Sequence, residues 1–98
     1  MNIQAMMKQA QALQKNMMKE KEEIDNTIFE EKSSFVTVTL LGNKTLKDIK
    51  IDKDELDKED IEMLQDMILV AINNAMNKID KVTEEKMGKY TKGMPGLF

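Results

Sequence analysis

The chain has 98 residues, enough for one domain, with 34% charged residues, one Tyr, three Phe and a formal net charge of −3. It contains no Cys and no His, which excludes disulfides, thiolate chemistry, His-ligated metals and Ser-His-Asp or Cys-His catalysis. So small and aromatic-poor a domain is marginal alone, and oligomerisation is expected before any motif is considered. The longest apolar run, Met67 to Ile72, is six residues, far short of the ~20 needed to cross a bilayer. Gln4, Lys8, Gln9 and Gln11 interrupt the N-terminus where a signal peptide would carry its apolar core. These features predict a soluble cytoplasmic protein with no membrane partner.

In chain order, residues 1–25 predict a helix. Ile3, Met6, Ala10, Leu13, Met17 and Ile24 follow a heptad-like seam broken once by Glu20, in a stretch rich in good helix formers. Lys8, Lys15 and Lys19 fall together on the far side, which by itself reads as an ordinary solvated face. Residues 26–52 predict a three-stranded sheet. Its pieces are a short strand at 26–30, a polar turn at 31–34, and the β-branched strand Phe35-Val36-Thr37-Val38-Thr39-Leu40-Leu41. A turn at Gly42-Asn43 leads into a third strand at 45–52, with Ile49 and Ile51 expected on its buried face. Val36, Val38 and Leu40 share one face of the central strand.

The acidic segment 52–60 superficially suggests a calcium loop. It fails at three essential positions, where Leu56, Asp57 and Met63 stand. Asp57 instead reads as a helix cap, with Glu59, Asp60 and Glu62 facing the positive end of the dipole. A helix then runs over 57–87, carried by Ile61, Leu64, Ile68, Ile72, Ala75, Ile79 and Val82 at three- and four-residue spacing. Met67, Leu69 and Val70 add apolar groups on its other faces, so its middle should be buried on most sides. Gly88 and Gly93-Met94-Pro95-Gly96 predict a flexible tail over 88–98. Together these elements make an α+β domain of α-β-β-β-α order, with a sheet needing cover and a long helix able to supply it. Ile3, Met6, Ala10, Leu13, Met17, Val36, Val38, Leu40, Leu64, Met67, Ile68 and Ile72 are the expected core and dimer-interface positions. The ten methionines suit such adaptable packing.

Charge is uneven. Residues 1–29 are neutral, residues 30–76 carry −5 and residues 77–98 carry +2. All fifteen basic residues are Lys, so Arg cannot read guanine edges, and any nucleic acid would be held through its phosphates with weak sequence discrimination.

These residues carry a family resemblance. Met6-Met7-Lys8-Gln9-Ala10-Gln11 with Leu13-Gln14, Val36-Thr37-Val38-Thr39 leading to Gly42, and Ile51-Asp52 resemble the YbaB/EbfC family of bacterial nucleoid-associated proteins. So do Glu62-Met63-Leu64 with Asp66, Ala71, Asn73 and Ala75, and the closing Gly93-Met94-Pro95-Gly96. The match covers essentially the whole chain in order. The resemblance implies an intertwined homodimer with helices projecting like tweezer arms. It also implies binding of double-stranded DNA with little sequence specificity, roles in nucleoid organisation and gene regulation, residence at the cytoplasmic nucleoid, no enzymatic activity, no cofactor and no small-molecule substrate. The family's DNA contacts lie on its first and last helices, where the matching basic residues are Lys8, Lys15, Lys19, Lys21, Lys78, Lys81 and Lys86. Two departures stand out: Glu30-Glu31-Lys32-Ser33-Ser34 replaces a glycine-rich turn, and Lys replaces Arg throughout. The alternative is a coiled-coil adaptor or a prefoldin-like holding chaperone that binds apolar segments of protein clients.

Overall fold

The computed structural model describes residues 2–91, so expectations for the Gly93-Met94-Pro95-Gly96 segment lie outside the described residues. The elements are α1 (Ile3–Asp25), β1 (Ile28–Ser33), β2 (Val36–Leu41), β3 (Leu46–Ile51) and α2 (Lys58–Thr91). The strands form one antiparallel sheet in the order β1-β2-β3. This is the α-β-β-β-α order expected from the sequence.

Local chemistry sets each boundary. The Asn2 side chain caps α1 by accepting the Ala5 N–H at 3.3 Å. At the other end Asn26 Nδ2 donates to the Glu22 carbonyl at 2.9 Å and Thr27 Oγ1 to the Glu23 carbonyl at 2.6 Å. Both side chains are therefore occupied in closing the helix, and the first strand begins at Ile28 rather than at residue 26. It also continues through Glu31-Lys32-Ser33, expected as a turn, because β2 supplies ladder partners as far as Ser33↔Val36. The hairpin then turns at Ser34-Phe35, with Ser34 at φ 53 where a two-residue turn normally uses glycine. At the start of α2, Asp57 and Asp60 exchange reciprocal bonds at 3.0 Å, each side chain accepting the other's backbone N–H. That is a capping box.

The core lies between one face of β1 and β2 and one stripe of α2. Phe29, Val36, Val38, Leu40, Ala71, Ala75 and Ile79 are buried there, with Leu64, Met67, Ile68 and Ile72 packed around them. Alanines at 71 and 75 let the helix axis approach the sheet closely. A second cluster of Ile24, Met87 and Tyr90, joined by Met17, fastens the last two turns of α1 to the last turns of α2. The molecule is long and thin, 72 × 19 × 14 Å.

Three expectations need correction. Ile49 and Ile51 pair with Val38 and Val36 and so share the apolar face, yet they are 38% and 39% exposed. Their expected burial fails because α2 packs on β1 and β2 and leaves the β3 edge uncovered. The middle of α2 is not enclosed on most sides either: Leu69 is 60% exposed and Val70 is exposed beside it, since the described residues supply cover for one stripe only. Finally, α2 does not end at residue 87 but passes through Gly88 to Thr91. Glycine costs a helix interior about 1 kcal/mol, and here Met87 and Tyr90 on either side are both buried against α1. Their burial offsets that cost.

Candidate nucleic-acid interface

Among the described residues, α1 is attached to the rest of the chain only near its end. Met17, Glu20 and Ile24 meet α2, whereas Ile3, Met6, Ala10 and Leu13 belong to neither core cluster of the described residues and are exposed. These four positions are not part of the core of one chain, which leaves them only the interface half of their expected role. From Ile3 to Glu20 the helix spans roughly 26 Å at ~1.5 Å per residue, and that length forms an arm.

The contact with α2 fixes how the arm is turned. At about 100° per residue, Lys8, Lys15 and Lys19 fall opposite the side that carries Met17, Glu20 and Ile24. All three are exposed, and none forms an ion pair among the described residues. Lys15 and Lys19 also line a groove along α1 with Gln11, Gln14 and Met18.

The other four candidates divide. Lys21 is bonded to Asp25 one turn on, and Lys78 pairs with Glu31 at 3.6 Å, tying α2 to β1. Both ammonium groups already have an acid beside them. Lys81 and Lys86 are exposed and form no ion pair among the described residues. The candidates are thus not one patch. Three free lysines line the arm, two lie on the last turns of α2, and two are engaged within the fold.

Lys89 was not among the candidates, yet it locks the arm. Its Nζ donates to Glu20 Oε1 at 2.9 Å and lies 5.1 Å from the centre of the Tyr90 ring. The hydrogen bond from Lys89 holds the Glu20 carboxyl below the ordinary glutamate range, and the same bond raises Lys89. One signal could have found the pair: Glu20 is the single charged break in an otherwise apolar seam, and such a residue calls for a cation on the facing helix.

The remaining predicted positions sit where the core needs them. Val36, Val38 and Leu40 are fully buried, Leu64, Met67, Ile68 and Ile72 half-buried against them, and Met17 half-buried in the second cluster. Beside them, Leu46, Ile49 and Ile51 continue the apolar face of the sheet to the open β3 edge. Among the described residues no cluster of acidic side chains is arranged to hold a metal ion, and no helix is long and apolar enough to cross a membrane.

Comparison with known proteins agrees with the resemblance read from the sequence. The model of the YbaB/EbfC DNA-binding family matches residues 1–94. A "Nucleoid-associated protein" of Lactococcus lactis subsp. cremoris is 55% identical over 97 residues, covering 97% of this chain and 98% of its own. One of the same name from Enterococcus faecalis is 48% identical over 98 residues, covering 98% and 94%. A crystal structure of the uncharacterized protein HP0035 from Helicobacter pylori shares the fold with a TM-score of 0.75 at 23% identity, over 92% of this chain and 97% of that one. The chain therefore belongs to the YbaB/EbfC DNA-binding family.

Proposed function

We propose that this chain is a nucleoid-associated protein that binds double-stranded DNA as a homodimer, with little sequence specificity, in nucleoid organisation and gene regulation. The observation that carries the reading is the arm: a projecting helix whose outward face holds Lys8, Lys15 and Lys19 without acidic partners among the described residues. Ammonium groups on a flexible stem suit phosphate as point charges and carry little sequence information. Lys81 and Lys86 on α2 supply secondary contacts, while Lys21 and Lys78 contribute less because Asp25 and Glu31 compete for them. The family name and the names of the relatives support a site of action at the nucleoid, in the cytoplasm.

Dimerisation is supported by the uncovered surface. Leu46, Ile49 and Ile51 extend a buried apolar face to an open sheet edge, and Leu69 and Val70 stand exposed on α2. A second copy covers such a surface with its own equivalent, as two-fold symmetry requires. It also doubles the free arm lysines, so two arms grip one duplex.

The test is fluorescence anisotropy of a labelled random-sequence duplex against the purified protein over a salt series. Six arm lysines in a dimer release counterions, giving a log–log slope of up to roughly −5. Lys8→Glu, Lys15→Glu and Lys19→Glu together should abolish binding while the dimer persists. Salt-independent binding, or none at low salt, refutes the reading. The exposed seam Ile3, Met6 and Leu13 favours the rival, a coiled-coil adaptor or prefoldin-like holding chaperone gripping apolar client segments, whose binding would persist at high salt.

A further inference from the structure

The outward face of α1 carries more than lysines. At about 100° per residue, Gln4, Lys8, Gln11, Lys15 and Lys19 fall within an arc of about 80°, on the side away from Met17 and Ile24. Amide and ammonium groups alternate along it from Gln4 to Lys15, and Lys19 adds a second ammonium at its end. Gln4 and Gln11 are exposed and their amides have no hydrogen-bond partner among the described residues. Glu22 occupies the same arc beyond Lys19 and closes it, since an acid there repels a phosphate. The remaining amides of the helix lie elsewhere: Gln9 points about 120° or more from the centre of the stripe, by the same arithmetic.

We propose that this stripe enters the major groove of B-form DNA, with Gln4 and Gln11 reading adenine while the lysines hold the flanking phosphates. The inference rests on the DNA-binding reading above and adds to it a specificity that lysines alone cannot provide. A helix of ~10–12 Å diameter fits a major groove ~12 Å wide. A Gln amide presents a donor and an acceptor side by side, complementary to adenine N6–H and N7. The chain has no Arg, and its arm lysines, the other side chains able to pair with guanine, are taken up by the flanking phosphates. Seven residues advance a helix by ~10.5 Å, and three base-pair steps advance a duplex by ~10.2 Å. The two glutamines therefore meet base pairs about three steps apart. The unpaired arm lysines supply the charge complementarity that brings the stripe to the groove.

The test is competition anisotropy with the full-length protein and two duplexes of equal length. One is rich in A·T pairs but free of A-tracts, and the other is rich in G·C pairs. The wild type should prefer the A·T-rich duplex by about fivefold, the lower end of what a single bidentate base contact gives. Replacing adenine by 7-deaza-adenine, which deletes N7 and leaves the minor groove intact, should erase that preference. Gln4→Ala with Gln11→Ala should erase it too, with the salt slope unchanged, while Gln9→Ala keeps it. Equal affinity for both duplexes, or a preference that survives 7-deaza-adenine, overturns the glutamine readout and leaves phosphate binding standing. Absence of salt-dependent binding to either duplex overturns both.

Discussion

Substitution of Gly42 by alanine tests how the arm is mounted. Gly42 is buried at the end of β2, donating its N–H to the Thr27 carbonyl at 2.9 Å. A β-carbon built there meets the Ile24 carbonyl oxygen at 1.7 Å and its carbon at 2.6 Å. Both are backbone atoms in the last turn of α1, so no side chain can swing aside. An ordinary C···O separation is ~3.3 Å, so turn and helix must part by roughly 1.6 Å. Overpacking of this kind costs about 1–3 kcal/mol, and an obstacle made of backbone puts the cost near about 3. A domain of this length has a stability of about 5–15 kcal/mol, so the loss is large. With a urea m-value of about 1–3 kcal/mol/M, the midpoint should fall by roughly 1–3 M. The assay is urea unfolding at one fixed protein concentration, followed through Tyr90. That residue is the only Tyr in a chain without Trp, and it is 3% exposed beside Ile24. Gly42→Ala should also raise acrylamide quenching of Tyr90 before unfolding begins, because parting Gly42 from Ile24 loosens the cluster. A midpoint shift under ~0.3 M with unchanged quenching would refute the argument, showing that the β2–β3 turn moves freely away from α1.

Three further outcomes follow from the same geometry. Asp57→Ala removes the acceptor for the Asp60 N–H and should destabilise the protein by about 1 kcal/mol, read as a urea midpoint shift. The Glu20–Lys89 lock should depend on pH in a defined direction. The folded Glu20 pKa is depressed by the Lys89 hydrogen bond, so its contribution is present above the ordinary 4.5 and lost as pH falls through the lower folded value. Tyr90 quenching should rise in that acid window and become flat there in Glu20→Gln. Ile49→Lys places a charge on the open β3 face without entering the core of the chain, and sedimentation should show it converting a dimer to a monomer. A dimer that survives this change would move the interface elsewhere.

How much the sequence discloses varies with the range of the interaction concerned. Local patterns were legible: the β-branched run that became β2, the acidic cap at Asp57, and the periodicity of both helices all answer to near neighbours. Errors appear where a partner distant in sequence decides. Ile49 and Ile51 alternate as buried strand residues should, but cover depends on where α2 crosses the sheet, which alternation does not encode. Gly88 reads as a helix breaker until Met87 and Tyr90 are seen buried against α1. At the candidate interface, seven lysines look alike in sequence. Only tertiary placement separates Lys8, Lys15 and Lys19 from Lys21 and Lys78, which have acids beside them. The pairing of Lys89 with Glu20 is not legible because the two residues lie 69 apart in sequence.

By net charge an acidic chain is a poor ligand for a polyanion, and the resolution lies in where the charges are. Much of the negative charge falls between residues 52 and 66, around the start of α2. From Glu59 to Lys89, the residue that anchors the arm, α2 rises by roughly 45 Å at ~1.5 Å per residue. At physiological ionic strength the Debye length is about 8 Å. A phosphate lying along the arm therefore feels Lys8, Lys15 and Lys19 at close range, and feels the acids at the start of α2 only after several screening lengths. The acids near the arm are partly neutralised: Glu20 by Lys89 and Asp25 by Lys21. Glu22 and Glu23, with no such partner among the described residues, stand at the base of the arm and would set the inner limit of a footprint on it. Net charge sums over a length that the solvent does not transmit. In a molecule 72 Å long, local charge governs what each end can hold.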